Sequence, residues 1–341
     1  MSSFWVGGYG ADMGGTAAGI GLMTSRDDGS LEYVGVVAKC PSPSFLTLRG
    51  DRLYAALEGA AEVQSFRVMP GSDGEKAPAP ALISTGRAPS GGQWPCQLAV
   101  DSHLVVVANY LGGSFGVIAL TEEGDVDRLV RVVAGEGSGP HPDQAGPRAH
   151  SSIFVDEATL LCLDLGSDEI AVHRVEGDRL VRTASVPLPP GTGPRDIVRH
   201  PVSGALYVLG ELSGDLLVFD WVDGMLRLTA STPLPGRQGG DQAAAIAFGD
   251  EHAYVGLRGG HRISVLATGA AGSAGRAADP VGWIDSAGDW PRNLVVDGPL
   301  LHVANERSNA VASFSLGDDG MPTLIGDPTP VPSPTYLLRT A

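Results

Sequence analysis

The sequence has little positive charge and no long apolar segment. Its 23 Lys and Arg residues stand against 39 Asp and Glu residues, which gives a formal net charge of −16 at pH 7. Such a chain has no basic face for nucleic acid or an anionic membrane surface, so neither is an expected partner. No segment approaches the roughly 18 consecutive apolar residues of a membrane span, and the first residues do not read as a signal peptide. A cytoplasmic location is therefore expected, and the sequence predicts no oligomeric state.

Cysteine is also scarce, and the usual catalytic and cofactor motifs are missing. The three cysteines, Cys40, Cys96 and Cys162, lie in or beside apolar strand segments without metal-ligand or redox spacing. We interpret them as buried thiols. The sequence contains no GxSxG, HExxH, Walker or CxxC motif. It therefore predicts neither a metal nor a cofactor.

What the sequence does contain is a repeat of about 50 residues. An apolar strand segment begins beside a proline, or an alanine in the same slot, seven times along the chain. The marker positions are Pro43, Pro95, Pro147, Pro194, Ala243, Pro291 and Pro334, separated by 52, 52, 47, 49, 48 and 43 residues. Further short strands follow each marker, bounded by turn residues, and no segment has a sustained helical period. This pattern is typical of a β-propeller with four-stranded blades.

The two ends of the chain complete the blade count. The last marker segment, SPTYLLR from Ser333, supplies one strand, and the residues before the first marker supply three. The sequence thus predicts an all-β fold, a seven-bladed β-propeller with blades of four antiparallel strands, closed by the C-terminal strand joining the N-terminal strands. Residues 1–341 are interpreted as a single domain, with loops between blades near residues 72 and 268.

In a propeller, polar residues at matching places in different repeats converge at the central channel. Four such residues stand out, namely His150 in GPRAHS, Arg195 in GPRD, Glu211 in VLGELSG and Arg258 in VGLRGG. Each also has a structural interpretation, because a lone histidine can be a turn residue and Glu211 can pair with an arginine across blades.

The chain resembles, end to end, the lactonase family of seven-bladed propellers, which includes bacterial 6-phosphogluconolactonases and fungal 3-carboxy-cis,cis-muconate cyclases. The resemblance rests on six stretches: GSGPHPDQAGPRAHS (137–151), GTGPRDIVRHP (191–201), LYVLGELSG (206–214), AYVGLRGG (253–260), VANYLGGS (107–114) and VPSPTYL (331–337). It implies an active site formed by His150, Arg195, Glu211 and Arg258. Gly210 and Leu257 stand where the family usually has asparagine, which bears on substrate choice.

Arginine suits an anionic substrate, since a guanidinium binds carboxylate or phosphate bidentately and remains charged. Arg195 and Arg258 are the best candidates, and Arg148 and Arg292 repeat the xPR position of Arg195, although either can instead form a salt bridge or a solvated loop end. Asn109, Trp94 and Trp290 complete the predicted substrate-binding set, with the tryptophans forming either a pocket wall or a peptide-binding surface. A calcium-dependent propeller would need acidic and asparagine ligands at the axis, whereas the axial positions here favour arginine and histidine, so no metal is predicted.

Opening a lactone needs an activated water, a stabilised oxyanion and a proton for the leaving alkoxide. Glu211 is the predicted general base if a partly apolar mouth raises its pKa, with His150 handling the second proton. An arginine facing the carbonyl would stabilise the oxyanion. The prediction is a lactone hydrolase acting on an anionic sugar lactone such as 6-phosphogluconolactone. The alternatives are a cyclase or lactonising isomerase of an unsaturated carboxylate, and a non-catalytic binding propeller.

Overall fold

The computed structural model describes residues 2–71, 80–269 and 278–340. The two loops predicted near residues 72 and 268 lie largely outside the described residues. The described residues form seven antiparallel sheets, each with an inner strand at the channel and three strands farther out, and one sheet has a short fifth strand. The predicted all-β propeller with seven four-stranded blades is confirmed.

The strands follow one another blade by blade. The N-terminal strands are β1 (Ser3–Gly8), β2 (Ile20–Ser25) and β3 (Leu31–Ala38). Blade 1 has β4 (Pro43–Arg49), β5 (Arg52–Leu57), β6 (Glu62–Met69) and β7 (Ala81–Pro89). Blade 2 has β8 (Gln93–Val100), β9 (Leu104–Leu111), β10 (Ser114–Leu120) and β11 (Val126–Ala134). Blade 3 has β12 (Ala149–Asp156), β13 (Thr159–Asp164), β14 (Glu169–Glu176) and β15 (Arg179–Pro187).

The second half of the chain continues the pattern. Blade 4 has β16 (Pro194–Arg199), β17 (Leu206–Gly210), β18 (Asp215–Val222) and β19 (Met225–Pro233). Blade 5 has β20 (Ala243–Phe248), β21 (His252–Leu257), β22 (Arg262–Ala267) and β23 (Asp279–Asp285). Blade 6 has β24 (Pro291–Asp297), β25 (Leu300–Asn305), β26 (Ala310–Leu316) and β27 (Pro322–Leu324), and β28 (Thr329–Pro330) also pairs with β26. The last strand, β29 (Pro334–Arg339), belongs to blade 7. Single 3-10 turns cover Ala11–Met13, Glu58–Ala60 and Pro142–Gln144.

Blade 7 closes the ring as predicted. Its strand order is β29, β1, β2, β3, with Trp5 opposite Leu338 and Val6 opposite Leu337. Because successive residues of a strand point to opposite faces, this blade packs against both neighbours. Its Phe4 and Val6 face the core shared with blade 6, while Trp5 faces the core shared with blade 1. The closure therefore joins two hydrophobic cores as well as two chain ends.

A β-bulge begins the inner strand of every blade. The register between the inner and second strands shifts immediately after the marker slot, so one residue on the inner strand has no opposite partner. The bulged positions are Ser44, Cys96, His150, Arg195, Ala244 (with Ala245 in the same bulge), Arg292 and Thr335. Bulges re-aim side chains, and every one of these residues lines the central cavity.

The register corrects one sequence-based alignment. In blade 3, Ala149 pairs with Asp164 as Pro194 pairs with Gly210 in blade 4, so Ala149 and not Pro147 occupies the marker slot. The expectation that Arg148 repeats the position of Arg195 is therefore wrong, and His150 is the equivalent of Arg195. Arg292, which follows Pro291, does repeat that position.

Blade 7, which the last strand completes, packs into the cores shared with both of its neighbours. We therefore propose that residues 1–341 unfold as one domain. Deleting residues 331–341 removes Val331 and Leu337, both nearly fully buried, and exposes the cores on both sides of blade 7. At about 1.5–3 kcal/mol for each large apolar side chain removed from the core, the loss should reach about 5 kcal/mol, most of the stability of a typical domain. Urea unfolding should show this loss. A truncated protein that melts cooperatively within a few degrees of the full chain would remove the closure claim.

Candidate active site

The site lies at the end of the channel where the inner strands begin. Because the second strand of each blade runs antiparallel to the inner strand, the residue that follows it returns to the same end. These residues are Tyr9, Glu58, Leu165, Glu211, Arg258 and Glu306, and the equivalent in blade 2 is Tyr110, which lies within β9 next to Asn109, the partner of Pro95. In six blades the backbone N–H of this residue donates to the carbonyl of the residue before the marker slot, as in Glu211 to Gly193 at 2.8 Å. The bulged residues line a cavity of about 450 Å³. Tyr9 and its six equivalents lie outside its lining, but Glu211 and Glu306 form ion pairs with two residues that line it, Arg195 and Arg292.

Three of the four predicted catalytic residues form one buried ion cluster. Arg195 Nη1 lies 2.6 Å from Glu211 Oε2, and Arg258 Nη2 lies 2.7 Å from the same oxygen. Arg195 Nε also donates to the carbonyl of Ala244 at 2.8 Å, which ties blade 4 to blade 5. The cluster contains two guanidiniums and one carboxylate, so it is a local positive centre in an acidic protein.

The charge state of Glu211 differs from the sequence-based expectation. Burial alone favours the neutral acid, but the charges of Arg258 and Arg195 outweigh burial and lower the pKa of Glu211 to about 2. The expectation that a partly apolar mouth raises this pKa is wrong. Glu211 is a carboxylate at neutral pH, and an acid this strong is a poor acceptor of a proton from water.

His150 is the group whose protonation suits proton transfer. Burial, followed by the charge of Arg195, lowers the pKa of His150 well below 6.5. The imidazole is therefore neutral at pH 7 and has a free lone pair for a proton. Its ring meets the edge of Tyr110, with the centroids 5.7 Å apart. The charges of Arg195, Glu211 and Arg258 all influence its pKa, which places the four predicted residues in one electrostatic unit.

Arg258 retains hydrogen-bonding capacity. Burial and the neighbouring arginines lower its pKa to about 10, against the opposing effect of Glu211, so it remains charged at neutral pH. Nη2 lies 2.7 Å from Glu211 Oε2 and is engaged by that carboxylate, so the capacity of Arg258 to bind a further anion resides in its remaining guanidinium N–H groups.

The predicted tryptophans lie at the rim. Trp94 is 41% exposed and stacks on Tyr110 with the rings 8° from parallel. The guanidinium carbon of Arg148 lies 5.7 Å from the centroid of the Tyr110 ring. Trp290 has guanidiniums near its ring, Arg258 at 5.4 Å and Arg307 at 3.3 Å. Both tryptophans hold positive φ angles, 56° and 68°, a strained conformation for a non-glycine residue.

Asn109 occupies a different environment from the other predicted substrate-binding residues. It is completely buried, and its amide nitrogen donates to the Ser90 carbonyl at 3.1 Å and to Ser114 Oγ at 3.3 Å. Asn305 makes the equivalent bond to Ser286 in blade 6 at 2.9 Å. The geometry therefore supports a role for Asn109 in holding its blade together, and a contact with substrate stays a prediction.

A second ion cluster at the mouth was only partly predicted. Arg292 Nη1 lies 3.1 Å from Glu306 Oε2, and Arg292 Nη2 donates to the Tyr9 hydroxyl. Tyr9 in turn donates to the carboxylate of Glu58, 3.1 Å from each oxygen. Of these residues only Arg292 was predicted from the sequence. The others directly follow the second strand of their blades, a position that is recognised once the strands are paired.

The structure also bears on metals, thiols and membranes. Across residues 2–71, 80–269 and 278–340, no group of three or more His, Cys, Asp and Glu side chains is arranged to hold a metal ion. Cys40, Cys96 and Cys162 are free thiols. Within the same ranges, none of the helices has the length and apolarity that crossing a bilayer requires.

Comparison with known proteins gives consistent results. Residues 3–338 match the protein family described as Lactonase, 7-bladed beta-propeller. The 6-phosphogluconolactonase of Bacillus subtilis is 29% identical over 258 residues, 72% of this chain and 73% of that protein. The 6-phosphogluconolactonase of Formosa agariphila is 29% identical over 238 residues, 66% and 67% of the two chains. The structure of the periplasmic gluconolactonase of Pseudomonas aeruginosa superposes with a TM-score of 0.90 at 26% identity, covering 100% of this chain and 99% of that one.

The ion cluster predicts a specific loss of stability. Glu211→Gln removes the one carboxylate between two buried guanidiniums, so it should lower the free energy of unfolding by about 3 kcal/mol or more, as breaking a buried ion pair does. Glu62→Gln is a matched control on blade 1, because it breaks an ion pair with Arg87 in which both side chains are partly exposed. Its cost should stay below about 1 kcal/mol. Urea unfolding at pH 7 measures both.

The difference in unfolding free energy between the wild type and Glu211→Gln should decrease as the pH falls. Because the folded-state pKa of Glu211 lies below its usual 4.5, its stabilisation is complete above pH 4.5 and is lost as pH falls toward 2. The gap in stability between the wild type and Glu211→Gln should narrow over that range. A gap that is absent at pH 7 would show that Glu211 does not hold the arginines.

Proposed function

Because the chain belongs to the lactonase family of seven-bladed β-propellers, we propose that it is a lactone hydrolase whose substrate is an anionic sugar lactone such as 6-phosphogluconolactone. The relatives named as 6-phosphogluconolactonases support hydrolysis and a sugar-lactone substrate over the cyclase and the non-catalytic propeller. The observation that carries the proposal is a buried, neutral His150 on the wall of a cavity that also exposes a paired guanidinium.

The substrate's negative charge is best accommodated beside Arg195 and Arg258. With a net charge of −16 the whole protein repels anions at long range, so binding depends on a local positive centre. The two arginines and Glu211 form such a centre, and Arg195 lines the cavity, where its guanidinium can meet a phosphate or carboxylate oxygen. A cavity of about 450 Å³ lies within the range of small-molecule sites.

The residues divide the reaction as follows. A water molecule attacks the lactone carbonyl carbon while His150 takes its proton, and Arg195 stabilises the negative charge that develops on the carbonyl oxygen. The ring C–O bond then breaks, and the imidazolium returns the proton to the leaving alkoxide oxygen. The new carboxylic acid ionises to a carboxylate on release. Glu211 takes no proton in this scheme. It holds Arg195 and Arg258 side by side, and its negative charge offsets the repulsion between the two guanidiniums.

We further propose the cytoplasm as the compartment. Three unpaired cysteines support a reducing environment. The similar gluconolactonase of Pseudomonas aeruginosa is described as periplasmic, so fractionation of the producing cell, with an antibody against this chain, is the direct check.

His150 provides the kinetic test of the proposal. His150→Gln keeps size and polarity but cannot carry the proton, so kcat on 6-phosphogluconolactone should fall by about 10²-fold or more. For the wild type, kcat/KM should stay flat between pH 8 and 6.5 and decline only at lower pH, since the catalytic base is lost as pH falls through a pKa that lies well below 6.5. Initial rates followed by NMR, with spontaneous hydrolysis subtracted, measure both.

Two outcomes would contradict the assignment of His150 as the general base. An inflection near pH 6.5 in wild type that is also present with an unphosphorylated sugar lactone, and so does not come from the substrate's own phosphate group, would mean that His150 titrates normally and the assignment fails. A His150→Gln variant with near-normal kcat would move the base to water held by the arginines.

A further inference from the structure

The second ion cluster repeats the first at equivalent positions. Arg292 is the bulged residue of blade 6 and Glu306 follows the second strand of that blade, as Arg195 and Glu211 do in blade 4. In both cases the following blade adds a third group from the end of its own second strand. That group is Arg258 beside the first pair and Tyr9 beside the second.

This third group makes the charges of the two clusters opposite. Tyr9 accepts a hydrogen bond from Arg292 and donates one to Glu58, so it links one guanidinium to a further carboxylate. Burial raises the pKa of Tyr9, which keeps the phenol neutral and able to donate. With one guanidinium and two carboxylates, the second cluster is net negative. The mouth therefore has a positive side on blades 4 and 5 and a negative side on blades 6, 7 and 1.

Several groups on the negative side are available to a ligand. Arg292 lines the cavity, and its side chain and that of Glu306 are each 17% exposed. Ser44, the bulged residue of the blade that carries Glu58, also lines the cavity and is 6% exposed. Its hydroxyl oxygen is buried and has no hydrogen-bond partner among the described residues. Arg292 and Ser44 thus line the cavity, and Glu306 is partly exposed beside Arg292. Glu58 is linked to Arg292 through Tyr9.

We propose that Glu58, Tyr9, Arg292, Glu306 and Ser44 form a subsite that recognises the hydroxyl groups of the substrate, an inference that rests on the proposed function. Each sugar hydroxyl is both a donor and an acceptor, so it is complementary to this mixture of groups. A substrate with several carboxylates would instead place negative charge against Glu58 and Glu306. The subsite therefore selects a polyhydroxylated lactone with one anionic group and rejects a polycarboxylate, which is specificity by repulsion as well as attraction.

The catalytic test compares two lactones. One is 6-phosphogluconolactone, and the other is the corresponding δ-lactone that carries the phosphate but no ring hydroxyls. Glu306→Gln should lower kcat/KM on the first by about tenfold or more, because a charge-assisted hydrogen bond is lost, and should change the second by less than twofold. Glu58→Gln should act in the same way, and the control Glu62→Gln should change neither. Equal losses on both lactones in Glu306→Gln would overturn the proposal.

A binding measurement decides the subsite without turnover. Removing negative charge should increase the affinity for citrate, measured calorimetrically at low ionic strength, by about threefold or more in Glu306→Gln and not in Glu62→Gln. A purely structural role for Glu306 predicts equal or weaker citrate binding, and that result would overturn the proposal. If wild type hydrolyses neither lactone, the proposed function fails while the citrate comparison still tests the subsite. Glu306 is partly exposed, so this variant carries the test even if Glu58→Gln does not fold.

Discussion

The arrangement of the channel mouth depends on one carboxylate held between two guanidiniums. Arg195 and Arg258 are both buried, and without Glu211 their like charges would have to be separated or neutralised. With Glu211 ionised between them at 2.6 Å and 2.7 Å, both remain charged, and Arg195 lines the cavity. The same positive centre helps to keep His150 unprotonated. A single ion cluster thus creates the anion site and the proton acceptor together.

The propeller contributes the geometry through a backbone irregularity that it repeats in every blade. The bulge after each marker slot turns His150, Arg195 and Arg292 toward the cavity from three different blades. At the same position blade 5 has Ala244, whose carbonyl accepts a hydrogen bond from Arg195 Nε. A uniform scaffold therefore becomes a specific site through the residues at two positions per blade, the bulged residue and the residue after the second strand.

Much of this could be predicted from the sequence, because strand periodicity and turn residues are local signals. The blade number, the closure by β29 and the identity of the four central residues all follow from them and from the family resemblance. The sign of the Glu211 pKa shift could not be predicted, since it depends on two arginines from different blades reaching one oxygen. Arg148 was misaligned because the proline in its repeat lies two residues before the true slot. Tyr9, Glu58 and Glu306 were missed because their equivalence appears only when the strands are paired.

The division of labour between His150 and Glu211 is the central claim, and an NMR titration of the His150 ring in the wild type tests it most directly. Comparison with His150→Gln identifies its resonances. The account predicts that His150 remains neutral at pH 6.5 and takes up its proton only well below that value, where activity also declines. A midpoint at or above 6.5 would contradict the account, because burial and the positive charges of Arg195 and Arg258 should disfavour the imidazolium.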